Sequence, residues 1–586
     1  MTRKIKFIPD KTHKDSERFV VPEGCSKIDD EAFSNWKNLR SIVIPKGVTS
    51  IGNNAFEGCE ALESIVVPEG VVFIGNDAFA YCKNLRSIVI PESVKKIGET
   101  AFRDCKSLSS IELDENNSQY TLIDGALFTK DGKTLIKYPC DKKEEKYVVP
   151  EFTTTICDYA FSGAEHIATI ILSELTELVE KHAFSSCPSL LEIVVAENCA
   201  AYSSIDGTLF TRDGKTLVRR PQGKTGKRHV VPEGVESIGY GAFDGCSALE
   251  TVELPQSLVV IQASAFRGCS KLREINIPES VVGIGIGAFA NCESLKTVKI
   301  PKGVKKIDFW AFCGCSSLES VEIPDGVVEI AANAFKSCAS LKEVALPSTL
   351  RKLDERAFQG CSALKSIKIP QGVSNVDLGT FSGCSSLESV EFPDGVVEIA
   401  ANAFMSCSSL RKIVLPSTLR KLDEHAFEGC SKLESVVFSE RNANETDKES
   451  LEILQKAFYD CPSLTEINLP NGLKKIDYLT FSGCESLKSL EIPDSVVAVE
   501  IGAFFGCESL ESVVFPKNVE KIGEAAFYGC LSLSSLRLSE RTRQIGKRAF
   551  GDCDSLAIHA PKGSYAERYA KENNLDFTPC EETALV

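Results

Sequence analysis

A chain of 586 residues is roughly four times a common domain size, so it either divides into several domains or repeats one unit many times. With 43% hydrophobic and 25% charged residues it is too apolar for a disordered chain and ordinary for a soluble globular one. Sixty-six basic against 82 acidic side chains leave a formal net charge of -16, which opposes nucleic acid or an anionic lipid surface as partner. The bias towards 24 Cys and 32 Phe, against two Met and two Trp, suggests an array built by copying.

At the N-terminus, charges break the apolar residues of Met1–Asp10 before a signal-peptide core of about 7 to 15 can form. Nowhere does an apolar run approach the roughly 20 residues of a bilayer span. The expectation is a cytoplasmic protein, with a cell-surface or secreted protein exported by a nonconventional route as the alternative. Residues 1–18 are expected to form an irregular or strand-like lid.

Between residues 19 and 560 the chain repeats with a period of 23. An Ala-Phe or Thr-Phe pair places Phe at 33, 56, 79 and 102, at 161 and 184, at every 23rd residue from 243 to 427, and at 458, 481, 504, 527 and 550. Of the 19 intervals between these 20 copies, 16 are 23 residues and the others are 59, 59 and 31. In the copy that includes Leu318-x-x-Val321-x-Ile323, alternation predicts a short strand with Val321 and Ile323 inward, and Ser320 and Glu322 outward. Pro324-Asp-Gly326 then turns the chain before Val327 and Ile330 begin a second extended segment. Ala-Phe-x-Gly-Cys closes the coil in a compact turn.

One coil buries about six apolar side chains, on the order of 12 kcal/mol, against about 1 to 2 kcal/mol of backbone entropy for each residue. A lone coil therefore does not fold, whereas stacked coils cover one another's apolar edges and pair their strands into a parallel sheet. About 4.8 Å between coils predicts a solenoid roughly 100 Å long.

The 59-residue intervals hold near copies 82 residues apart, Ile123 to Pro139 and Ile205 to Pro221, each with an Asp-Gly pair (Asp131-Gly132, Asp213-Gly214) between short apolar stretches. This pattern predicts β-hairpins near 114–147 and 196–229 that replace a regular coil. A polar run at 439–450 predicts a loop or a short helix starting near Ser450. In 561–586, Ser564 as N-cap and Glu567 three residues on predict a capping helix.

The motif Leu-x-x-Val-x-Ile-Pro-x-Gly-Val-x-x-Ile-x-x-x-Ala-Phe-x-Gly-Cys resembles the 23-residue class of leucine-rich repeats, the BspA-like family, over residues 19–560. The resemblance implies a curved solenoid, mainly β, with a parallel sheet on its concave face, short turns or 3₁₀ segments on the convex face and a C-terminal capping helix. It also implies kinship with surface proteins of bacteria and some protozoa, several of them adhesins for host matrix proteins.

Eighteen of the 24 cysteines sit three residues after the repeat Phe and form a ladder, with Trp36 and Ala164 in the other two places. Stacked side chains point in parallel where a disulfide needs them to converge, so the expectation is buried, reduced thiols of a reducing compartment. No Cys-x-x-Cys pair and no His-Glu-x-x-His occurs, the six histidines are scattered, and Cys313-Gly-Cys315 is a weak metal signal. Gly132-Lys-Thr, Gly214-Lys-Thr and Gly223-Lys-Thr lack the earlier Gly of a phosphate-binding loop and read as turns. Coils, insertions and ends account for the whole chain, which predicts no enzyme and no cofactor.

Function should then lie at outward strand positions that packing leaves free. Val43, Val66 and Val89 are expected to stack as an exposed apolar stripe, while the middle of the array shows mixed charge; Ile171 and Val194 are further outward positions expected to meet a partner. The second hairpin carries Arg219, Arg220, Lys224, Lys227 and Arg228, a basic cluster suited to an acidic protein segment. The reading is a monomeric, noncatalytic scaffold that binds a protein partner through these residues; the alternative is an adhesin of the BspA-like type.

Overall fold

The computed structural model describes residues 5–7, 14–440 and 451–580. Most of the expected lid, nearly all of the loop expected at 439–450 and the last six residues lie outside the described residues. The chain divides into two compact units, Met1–Lys271 and Leu272–Val586, each a stack of short parallel strands.

A coil of the second unit shows how the repeat folds. Strand Ser320–Glu322 has an exposed-buried-exposed pattern and pairs parallel with Thr297–Lys299, Val321 opposite Val298. Proline ends it, and Gly326, with φ +110°, completes a turn in which the Val327 N–H donates to the Pro324 carbonyl. The two-residue strand Glu329–Ile330 then pairs parallel with Lys306–Ile307 and buries Ile330.

Of the two forms expected for the segment around the Phe, short turns or a 3₁₀ segment, the chain takes the turns: among the described residues none is in a 3₁₀-helix. The physical reason is a pair of left-handed residues on either side of the Ala-Phe dipeptide, Asn333 and Ser337 around Phe335, each with φ +60°. A left-handed residue every few positions interrupts a run of helical dihedrals and leaves successive turns. Their amides are satisfied by the next coil, since the Phe335 N–H donates to the Ala357 carbonyl at 2.8 Å and that of Ser337 to Gln359 at 2.7 Å.

The Phe rings stack along each unit. Phe33, Phe56, Phe79 and Phe102 lie 5.1, 5.5 and 5.8 Å apart with rings within 4° of parallel. Phe312, Phe335, Phe358 and Phe381 repeat this at 5.4, 5.3 and 5.6 Å. Spacing slightly wider than a strand separation is what offset parallel rings require.

The insertions correct the expected coil count. Tyr120–Ile123, Ala126–Thr129 and Thr134–Lys137 form an antiparallel three-strand meander whose last strand pairs parallel with Thr155–Ile156 and so re-enters the stack. Its first turn, Asp124-Gly125, has φ +48° and +74°, as a tight hairpin demands. The hairpins do not replace a coil. Tyr138 and Arg220 stand 23 residues before Phe161 and Phe243, and their N–H groups donate to Ala160 and Ala242 as the repeat Phe does elsewhere. Each 59-residue interval therefore holds an additional coil in which Lys137-Tyr138 or Arg219-Arg220 stands for Ala-Phe.

The helix Tyr565–Glu572 closes the second unit, with the Ser564 hydroxyl accepting from the Glu567 N–H at 3.3 Å. The Glu567 carboxylate accepts from Gly563, one residue ahead of the cap, rather than from the cap itself. Tyr569 meets Phe550 edge-on at 6.0 Å and covers the last ring of the stack.

Candidate protein-binding surface

Every strand that pairs in register repeats its outward position one strand spacing away, so a residue type recurring there becomes a stripe. In the first unit Val20 pairs beside Val43 and Val66 beside Val89. Val20, Val43 and Val66 are 67%, 60% and 64% exposed, although each is a large apolar residue; Val89 is half-buried and Glu112 follows it. Ser41, Ser64 and Ser87 line the companion positions. A second row sets Val148, Ile171 and Val194 side by side, with Val148 exposed and the other two half-buried.

Val20 and Val148 were missed by the sequence reading, yet 23 residues separate each from an outward Val or Ile that was found. In the second unit the same position carries charge in places, Lys299 opposite Glu322 and Lys368 paired to Glu391 at 3.1 Å, and apolar residues in others, Val414 and Val514 being 47% and 60% exposed.

The basic cluster does not form a cationic patch. Arg219 and Arg220 are 4% and 1% exposed. Arg219 donates to the Gly241 and Phe184 carbonyls, and Arg220 to those of Lys224 and Gly226. Taking the Ala-Phe place turns these side chains inward, so neither is available to a partner. Lys224 is paired to Asp206 at 2.9 Å, Lys227 to Glu250 at 2.8 Å and Arg228 to Glu253 at 2.6 Å. Carboxylates thus neutralise the cations that remain at the surface.

The cysteine ladder is interior: of the 24 free thiols only Cys313 and Cys580 are partly exposed. Ladder thiols donate to the Phe carbonyl of the coil before, Cys59 to Phe33 at 3.1 Å and Cys338 to Phe312 at 3.2 Å, whereas Cys246 reaches the carbonyl of Arg220, which stands in the Phe place there, at 3.8 Å. Burial pushes Cys59, Cys315 and Cys384 up to about 12, far from a thiolate at neutral pH. Cys313 points outward while Cys315 is buried, so the two do not converge as a chelating pair. Among the described residues no group of three or more His, Cys, Asp or Glu gathers as a metal site. An aromatic disulfide reagent at pH 8 is expected to titrate about two thiols in the native protein and all 24 in guanidinium chloride; rapid native titration of many would contradict a sealed ladder.

One constellation escaped the scan for catalytic groupings because its members are 24 and 58 residues apart. Asp158 accepts from His182 Nδ1 at 3.0 Å, and His182 Nε2 meets the Tyr240 hydroxyl at 2.9 Å. A carboxylate at Nδ1 fixes the tautomer, so in the neutral ring the Tyr240 O–H donates to Nε2. Burial would raise the Asp158 pKa, but hydrogen bonds from the His182 ring and backbone N–H outweigh it and hold the carboxyl below its ordinary value. Both ring nitrogens are occupied by this chain's own side chains, and Tyr159 stacks on the imidazole at 4.6 Å; the arrangement orients the ring.

Comparison with known proteins agrees with the repeat. A family model described as a BspA type leucine rich repeat region (6 copies) matches residues 11–131, 138–212, 226–341, 328–452 and 451–570. No curated protein matches. Among solved structures, a leucine-rich repeat protein from Bacteroides ovatus is 25% identical, covering 79% of this chain and 98% of that one with a TM-score of 0.46. One from Eubacterium ventriosum is 21% identical over 61% of this chain and 88% of that one, TM-score 0.34. A leucine rich cell surface protein from Faecalibacterium prausnitzii is 22% identical over 73% and 89%, TM-score 0.27. Among the described residues no helix is long and apolar enough to cross a membrane.

Proposed function

We propose that this chain, which belongs to the BspA-type leucine-rich repeat family, is a noncatalytic scaffold that binds a protein partner on its outward strand face. The observation that supports this reading is the stripe of Val20, Val43 and Val66, each at least 60% exposed at a position the core does not need. A valine in an outward position is favourable in a strand, but exposed valines recurring from strand to strand, Val20 paired beside Val43 and Val66 beside Val89, leave apolar surface in water that a partner relieves. The paired cations nearby add little net charge, so binding is apolar and weakly salt-dependent.

Val66→Glu is expected to lower partner capture from a lysate of the native organism at least tenfold while shifting stability by under about 0.5 kcal/mol. A large loss of stability would make Val66 a packing residue, and undiminished capture would move the binding site elsewhere.

A second reading, an adhesin at the cell surface, is favoured by the family, whose members are known chiefly as surface proteins. The buried free thiols favour the cytoplasm instead. Protease added to intact cells decides between them: digestion supports the adhesin, protection the intracellular scaffold.

A further inference from the structure

The two insertions are copies of one element, and three positions of their interior have changed together. The first has Ala126, Tyr138 and Tyr147, all buried, the two rings 4.9 Å apart. The second, 82 residues on, has Thr208, Arg220 and His229 in those places. Thr208 lies across the antiparallel pair from Arg220, one step beyond the Leu209–Arg219 pair. His229 packs edge-on against Phe243 at 5.3 Å. Replacing an alanine and two largely apolar tyrosine rings by threonine, arginine and histidine brings more polar atoms into the interior, which is costly unless they are met.

Apart from Arg220 Nη2, which donates to the Lys224 and Gly226 carbonyls, they are not met within the chain. Thr208 Oγ1, Arg220 Nε and Nη1, and His229 Nε2 are buried and without hydrogen-bond partners. Tyr138 and Tyr147 in the first copy also have unpartnered hydroxyls, but those are neutral and bring no uncompensated charge into the interior. Arg220 is different, because a guanidinium is always charged, is 1% exposed here, and needs a counter-charge as well as acceptors. The acids around it are committed, Asp206 to Lys224 and Asp244 to Arg267. Arg219, buried beside it, adds a second positive charge.

We propose that Thr208, Arg220 and His229 bind a small monovalent anion, chloride in class, buried inside the second insertion coil. The Arg220 Nε–H and Nη1–H, the Thr208 hydroxyl and His229 as its Nε2–H tautomer supply the donors, and the anion supplies the missing negative charge. Burial and then the field of Arg220 hold the His229 pKa down to about 4, so the ring is neutral at physiological pH and the positive charge at the site comes from Arg220, with Arg219 beside it. This differs from the partner-binding stripe in place and chemistry and does not depend on it.

The test uses the full chain and a triple variant, Thr208→Ala, Arg220→Tyr and His229→Tyr, which installs the trio this same chain uses in its first insertion. Melting is followed in sodium chloride and in sodium gluconate at equal ionic strength. The unmodified protein is expected to gain about 1 to 3 °C for each tenfold rise in chloride above its dissociation constant, and nothing from gluconate. The variant should respond to both salts alike. Crystals of the unmodified protein grown in bromide and measured at the bromine edge should show a peak between the three side chains, a readout that needs no variant to fold. Equal responses to the two salts in the unmodified protein, or no bromide at these residues, would overturn the site.

Discussion

Phe358→Ala is expected to destabilise residues 272–586 by about 4 kcal/mol, the middle of the range for deleting a buried ring. Phe358 is fully buried, and its ring lies 5.3 Å from Phe335 and 5.6 Å from Phe381, parallel to both within 6°. Removal costs the transfer of a large apolar surface, leaves a cavity between two rigid coils, and breaks two stacking contacts of about 0.5 to 1.5 kcal/mol each. The coils cannot collapse into the gap, because the Phe358 N–H donates to the Thr380 carbonyl and the Gln359 carbonyl accepts from Ser337, holding the backbone at its spacing. Since each coil touches its neighbours only, the damage should be local. Amide exchange should quicken in the coils of Phe335 and Phe381 far more than around Phe504, and Phe358→Leu should cost about half as much. A uniform acceleration, or a loss below about 1 kcal/mol, would mean the ring column is not what binds successive coils.

That column is also why so much of the fold is legible in the sequence. Packing asks the same question of every coil, so the answers recur, and Phe, Cys and the inward Val or Ile can be read from their period alone. Legibility ends where a coil answers differently. Tyr138 is one aromatic for another, whereas Arg220 in the same place has the wrong character for a core residue, and a search for Ala-Phe passes over both. The left-handed turn residues are equally hidden: Trp310, Arg356 and Leu479 take φ of +54°, +54° and +52°. Coil closure and the hydrogen bonds to the next coil impose those angles against local preference, so glycine-based turn signals miss them.

The surface divides in the same way. Outward strand positions follow from alternation, and the exposure of Val43 and Val66 is a direct consequence. Side-chain direction in the insertion does not follow from composition: five basic residues look like a patch until Arg219 and Arg220 turn inward and Glu250 and Glu253 come alongside from the next coil. Stacking places residues about 23 apart beside one another, so the pairing of Lys227 with Glu250 was available from the period once charge was compared across coils.

A second large loss is expected at a residue that the sequence draws attention to for the wrong reason. Asn116-Asn117-Ser118 reads as a glycosylation sequon on Asn116, but Asn117 is the residue with structural weight. It is fully buried; its Nδ2 donates to the Pro91 and Val94 carbonyls at 2.9 and 3.1 Å, and its Oδ1 accepts from the Gln119 and Tyr120 N–H groups at 2.9 and 3.0 Å. One amide thus ties the start of the first meander to the coil before it. The Tyr120 hydroxyl, which accepts from the Ile97 N–H at 2.8 Å, depends on that anchor for its position. Asn117→Ala leaves two backbone donors and two carbonyls unmet, at about 1 to 3 kcal/mol each before water relieves part of it, so a net loss of about 3 to 5 kcal/mol is expected. The second insertion supplies the control: Cys199 occupies the equivalent place with one thiol bond, to the Thr176 carbonyl at 3.4 Å, and Cys199→Ala should cost about 1 kcal/mol. Guanidinium unfolding of the two variants measures the difference. Equal losses would show that the meander is held by its strand pairing and that the buried amide is incidental.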